Sequence, residues 1–145
     1  MKDKQTKEVW DSAKQPNTVI ESVTDGITLS DANGHFEVFN SKMQELTGYT
    51  LGEANSCADF SALVYPEPDR RREALQRLDE VRQGGRIEEI ETVIQAKDGF
   101  RKVLLVSTTL LKYKNEDMFL TVYHDITLPK LNEEELKKAR EKLEI

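Results

Sequence analysis

The spacing of hydrophobic and polar positions changes several times along the chain, and each change marks an element. Across 7–23 the apolar residues Val9, Trp10, Ala13, Ile20 and Val23 read as a helix interrupted by Pro16-Asn17. The period then drops to two. Residues 26–31 and 35–39 alternate as strands on either side of Asn33-Gly34, a strong hairpin-turn dipeptide. From Asn40 the pattern predicts a helix over 41–47 stopped by Gly48, followed by short helical turns across 50–66. A longer helix is predicted over 68–83, with Pro68 at its first position and Gly84-Gly85 past its end. Its apolar positions Ala74, Leu75, Leu78 and Val81 share one face. Strands are predicted over 86–96, 100–112 and 117–125, separated by Lys97-Asp98-Gly99 and Lys114-Asn115-Glu116. Antiparallel strands split by a helical block define an α+β domain with one sheet and helices mainly on one face.

The last two strands are apolar on both parities. Phe100, Leu104, Val106 and Leu110 alternate with Val103, Leu105 and Leu111, and Met118, Leu120 and Val122 alternate with Phe119, Thr121 and Tyr123. A sheet with one wet face shows apolar residues on a single parity. Both faces are therefore expected to be covered. The helices across 41–83 can cover one, and the other needs the N-terminal helix, a second subunit, or both.

Length and charge narrow the class. A chain of 145 residues suits one domain with a single core. The net charge is −6, and the acidic excess lies wholly in the centre, because 15–129 sum to −7 while 1–14 and 130–145 are nearly balanced. That distribution argues against a general nucleic-acid binder. The single cysteine, Cys57, excludes a disulfide framework and cysteine-based zinc or iron–sulfur sites, and fits a reducing compartment. With no membrane-length apolar run and no signal pattern, the expectation is a small cytoplasmic domain without membrane contact.

The C-terminal charges are ordered. Glu133, Glu134 and Glu135 precede Lys137, Lys138, Arg140 and Lys142, the polarity a helix dipole favours, with Glu133–Lys137 and Glu134–Lys138 at i,i+4. Leu136, Ala139 and Leu143 fall at a, d and a of one heptad, and Thr127 is expected to cap this helix ahead of Pro129. This pattern alone leaves open a solvated terminal helix or the start of a coiled coil.

The order of elements and turns resembles the PAS family of sensor domains. The resemblance covers about 17–127 and rests on Asp25-Gly26-Ile27, Asp31-Ala32-Asn33-Gly34, Asn40 and Leu46-Thr47-Gly48-Tyr49. Pro66-Glu67-Pro68-Asp69-Arg70, Lys97-Asp98-Gly99 and Asp125-Ile126-Thr127 complete it. Membership implies a five-stranded antiparallel sheet, a groove between the sheet and short helices, and frequent homodimers. Here the dimer is expected through the outer sheet face and an N-terminal flanking helix over 1–16. Asp125, Ile126 and Thr127 would pass a signal into a connector helix over 128–145 and on to a downstream effector domain.

The family binds varied ligands or none, so the groove must decide. Haem is disfavoured, because its relatives place an axial histidine on the long helix and 68–83 contain none. Flavin photoreceptors use an Asn-Cys-Arg-Phe-type motif and amide side chains on the last three strands. Here Asn55-Ser56-Cys57-Ala58-Asp59-Phe60 departs from that motif, and the amide positions carry Ile94, Leu104 and Tyr123. Cys57 then reads as a small buried residue. The remaining groove is mainly apolar. Phe60, Leu63, Ile94, Leu104, Val106 and Tyr123, with Thr92, Thr108 and Thr121 as sparse polar groups, are its candidate lining, joined by Leu75 and Leu78. These side chains either fill the core or hold a small apolar or aromatic metabolite.

Catalytic signals are weak. Adjacent strand residues His124 and Asp125 point to opposite faces, no phosphate loop or metal spacing occurs, and Arg70-Arg71-Arg72 lies among carboxylates. The expectation is a non-catalytic sensory module of a multidomain protein such as a sensor histidine kinase. The alternatives are a constitutive interaction domain without ligand, or a regulatory module of a cyclic-nucleotide enzyme or transcription regulator.

Overall fold

One buried side chain fixes the switch from strand to helix after residue 39. Asn40 is 1% exposed, and its Oδ1 accepts from the N–H of Met43 at 3.0 Å and of Ile27 at 2.9 Å. Its Nδ2 donates to the Asp25 carbonyl at 3.0 Å. The same amide therefore caps a helix and ties it to the preceding strand. The computed structural model describes residues 24–143. The helix predicted over 7–23 lies outside them.

In chain order the elements are β1 (Gly26–Ser30), β2 (Phe36–Phe39), α1 (Ser41–Thr47), α2 (Leu51–Ser56), α3 (Phe60–Val64), α4 (Pro68–Arg82), β3 (Ile87–Gln95), β4 (Arg101–Tyr113), β5 (Glu116–Asp125) and α5 (Thr127–Leu143). The strands form one antiparallel sheet in the order β2-β1-β5-β4-β3. The predicted elements match these bounds within a residue or two. Local chemistry accounts for the ends. Gly48 closes α1 at φ +79, and a Cβ there would also lie 2.9 Å from Lys97 Cβ, so only glycine suits the position. Thr50 and Glu53 form a capping box on α2, and Pro68 starts α4.

Two turns differ from each other and one from expectation. Asp31 Oδ1 accepts from the N–H groups of Asn33 and His35, both at 2.9 Å, and pairing resumes at Ser30↔Phe36. The β1–β2 loop is thus built on Asp31 and is longer than a two-residue Asn33-Gly34 turn. Two satisfied amides outweigh the dipeptide preference. The β4–β5 hairpin is the tight one: Lys114 and Asn115 have φ 52 and 66, and Tyr113 pairs with Glu116.

Register assigns the two faces. Gly26, Thr28 and Ser30 pair with Tyr123, Thr121 and Phe119, and a Cβ at Gly26 would meet Leu46 and Met43 of α1, so this parity faces the helices. The opposite parity carries Ile27, Leu29, Met118 and Leu120, each 0–2% exposed, with Val38, Leu111 and Tyr113 packed against them. Both faces of this half of the sheet are out of water within a single copy of the chain. Val103, Leu105 and Val122 on the outer face are half-buried.

The start of α5 also departs from expectation. Thr127 is the first residue of the helix, and its hydroxyl accepts from the Val103 N–H at 2.9 Å instead of capping. Asp125 Oδ1 takes the Thr127 N–H at 2.9 Å and the Thr127 hydroxyl.

Candidate functional site

A cavity of about 300 Å³ lies between the helix-facing side of the sheet and helices α1–α4. A bulge in β3 shapes one wall. Ile87 pairs with Thr108 and Ile90 with Val106, so the chain between them gains a residue, with Glu89 at φ 50. Both isoleucines consequently face inward and line the cavity. Three aromatic rings pack edge to face around Phe60: Phe36 at 5.3 Å, Phe39 at 5.7 Å and Tyr49 at 5.8 Å between centroids. They close the end near β2.

The sheet floor is polar. Thr28, Thr108 and Thr121 are at most 5% exposed, and the Thr108 and Thr121 hydroxyls lie 3.1 Å apart. The Tyr123 phenol lies beside the Thr28 and Thr121 hydroxyls and lines the cavity. Burial pushes its phenol pKa strongly upward, and burial also raises that of Tyr65. The Thr92 hydroxyl donates to Tyr65 Oη at 3.3 Å. Asn55 spends both ends of its amide on β2, accepting from the Phe36 N–H at 2.8 Å and donating to its carbonyl at 3.0 Å. It closes that sheet edge.

Of the candidate lining, Phe60, Thr92, Ile94, Val106, Thr108, Thr121 and Tyr123 border the cavity, as do Leu75 and Leu78. Two candidates do not. Leu63 is 37% exposed, because α3 is barely one turn and turns Phe60 and Val64 inward. Leu104 is 0% exposed and lies behind the lining, against Leu46, Val64 and Ile94 where α1 and α3 press directly on the sheet. Leu75, placed on the core face by spacing, is 46% exposed at the cavity edge. Cys57 is half-buried rather than buried, ends α2, and lines the cavity with its thiol donating to the Ala54 carbonyl at 3.0 Å.

Sequence reasoning missed Thr28, Tyr65, Asn55 and Arg77 as lining residues. The signal for Arg77 was present: it shares a helical face with Ala74, Leu78 and Val81. His124 Nδ1 lies 2.7 Å from Asp25 Oδ1, across the sheet from Asp125. No group of three histidine, cysteine or carboxylate residues is placed to hold a metal among the described residues. No helix of the described residues is long and apolar enough to cross a membrane.

The cavity strands also hold the exit helix. Ile126 donates its N–H to the Val103 carbonyl at 2.9 Å, and Lys130 Nζ lies 3.0 Å from Glu91 Oε1. The Glu91 carboxylate beside Lys130 raises the ammonium pKa.

The five-stranded antiparallel sheet with short helices packed on one face and a helix leaving after Asp125 defines an α+β domain class. Residues 14–126 match the PAS fold family, and the chain belongs to it. The fold is similar to the PAS domain of an HTR-like protein from Haloarcula marismortui, at 18% identity and TM-score 0.64, covering 86% of this chain and 99% of that one. It is also similar to a domain of a sensory box sensor histidine kinase/response regulator from Geobacter sulfurreducens, at 21% identity and TM-score 0.62, covering 83% and 94%. A third structure is the PAS domain of the quorum-sensing receptor RpfR from Cronobacter turicensis in complex with C12:0, at 22% identity and TM-score 0.59, covering 75% and 100%. No curated protein matches the sequence.

Proposed function

We propose that this chain is a cytoplasmic sensory and dimerisation module of a multidomain signalling protein of the sensor histidine kinase kind. In this reading, occupancy of the cavity by a small, largely apolar metabolite is the signal. The carrying observation is that the cavity and the exit helix share two strands. Val106 on β4 and Tyr123 on β5 line the cavity, while Val103 and Asp125, a few residues along the same strands, hold Thr127. A ligand that shifts these strands alters that node, and a coupling of only a few kcal/mol suffices to bias an effector (~1–3 kcal/mol). The kinase neighbour and the neighbour bound to C12:0 support the reading.

The exit helix exposes Leu128, Leu131, Leu136 and Leu143 at 51–86%, a surface that a coiled-coil partner would cover. The half-buried Val103 and Leu105 supply the sheet side of the dimer, with the N-terminal segment as its other part. The rival reading, a constitutive interaction domain, draws on the internal pairing of Thr108 with Thr121, which leaves these two hydroxyls partnered without a ligand.

Val106→Trp tests the choice, because it fills the cavity while leaving the exit node intact. Thermal shift across a panel of apolar and aromatic metabolites should find a binder for the natural chain and none for the variant. A panel that shifts neither protein defeats the sensory reading. Sedimentation should show a dimer that Val103→Glu and Leu105→Glu together dissociate, and a natural chain that sediments as a monomer overturns the dimer.

A further inference from the structure

Arg77 stands where α4 otherwise turns apolar side chains toward the sheet. It lies three residues after Ala74, next to Leu78 and four before Val81, and Val81 is 0% exposed. Other arginines of this helix are engaged away from the cavity. Arg70 pairs with Glu67 at 3.2 Å, Arg72 with Asp69 at 3.4 Å, and Arg82 donates to the Ala32 carbonyl at 3.1 Å. Arg77 is half-buried and lines the cavity, and among the described residues no hydrogen bond or ion pair engages its guanidinium. Arg71 is likewise unengaged but does not border the cavity.

Its position is a mouth. Arg77, Ile87 and Ile90 line both the cavity and a shallow groove outside it, so the guanidinium sits at their shared rim. Tyr65 is within electrostatic reach of Arg77. Because Thr92 donates to Tyr65 Oη, the phenol's own proton is free to point into the cavity as a second donor. A fork of N–H donors and a phenol lining one cavity with Leu78, Ile90 and Val106 match a planar carboxylate with an apolar body. Glu73, Glu80 and Glu88 line the outer groove. A dianion would meet three carboxylates there, so a single negative charge fits best.

We infer that the cavity takes a monoanionic amphiphile, its hydrocarbon body against Leu78, Ile90 and Val106 and its carboxylate held at the rim by Arg77 and Tyr65. This rests on the reading of the cavity as a ligand site. The test compares decanoate, 1-decanol and n-decyl phosphate by isothermal titration of the full chain after removal of copurified lipid. Decanoate should bind at least about tenfold more tightly than 1-decanol, the scale of one charge-assisted hydrogen bond. Arg77→Gln should erase that preference while leaving 1-decanol affinity unchanged, and Arg77→Lys should keep part of it.

Equal binding of decanoate and 1-decanol by the natural chain overturns the anchor and leaves the ligand cavity standing. Tighter binding of decyl phosphate overturns the carboxylate assignment. If none of the three binds, the amphiphile assignment falls, and the metabolite panel alone decides whether the cavity takes another ligand. The first comparison needs no variant, so a misfolded Arg77→Gln cannot obscure it.

Discussion

The two faces of the sheet bury side chains from the same strands by different means. The outer face packs Ile27, Leu29, Met118 and Leu120 at 0–2% exposure, with no hydroxyl among them. The helix-facing side carries Thr28, Thr108, Thr121 and Tyr123 and leaves about 300 Å³ between itself and the helices. Side chains alternate along each strand, so a single strand such as β5 contributes to both. Close packing of branched aliphatic residues serves stability. A floor of paired hydroxyls under open space forgoes part of that packing, and it is the arrangement a ligand site needs.

The largest expected effect tests that contrast directly. Leu29→Ala should cost about 3–5 kcal/mol in urea denaturation, while Val106→Ala, beside space already empty, should cost about 1 kcal/mol. Equal costs would mean that the two faces are packed alike. Next comes the joint between β1 and the helical layer. Asn40→Ala removes a cap and orphans the buried Ile27 N–H, and should cost about 2–4 kcal/mol while leaving the outer face packed.

The hydroxyl floor should behave as a pair. Thr121→Val alone leaves Thr108 unpartnered and should cost about 1–2 kcal/mol, whereas replacing both by valine should be nearly neutral. A double-mutant cycle with no coupling would show the 3.1 Å contact to be energetically idle.

The smallest effect is a pH limb. The Tyr65 and Tyr123 phenols are held protonated by burial above the ordinary value of 10.0. Their folded pKa values exceed the unfolded ones, so the stability they confer is full below pH 10.0 and lost as pH rises through the folded values. Tyr123→Phe should flatten this alkaline loss in denaturation midpoints measured against pH. Leu29→Ala should lower the whole curve without changing its alkaline slope.

Much of this was readable along the chain. Asn40, Gly48, Pro68 and Lys97-Asp98-Gly99 punctuate the elements through local backbone chemistry that needs no tertiary partner. Doubly apolar β4 and β5 announced burial on both sides. The half of the sheet around Ile27, Leu29, Met118 and Leu120 shows it, while Val103, Leu105 and Val122 stay half-buried. The parity of Val106, Thr121 and Tyr123 placed them on the cavity side. Depth was not readable. Leu104 has that parity too, yet it is sealed against Leu46 and Val64 of α1 and α3, whereas Val106 packs at the edge of that cluster and borders the open space. Leu63 and Val64 are equally apolar neighbours, and only the seating of one short turn decides which faces inward.

The sequence by itself determined the elements, their order and which strand residues share a face, because caps, turns and two-residue periodicity act over a few bonds. Tertiary structure alone decided where the sheet and helices stand apart. The β3 bulge turns Ile87 and Ile90 to one side, and α4 seats Val81 and Leu78 against the sheet while leaving Arg77 at the cavity rim. A cavity is a difference between two packed surfaces, and no pattern along one chain encodes the gap between them.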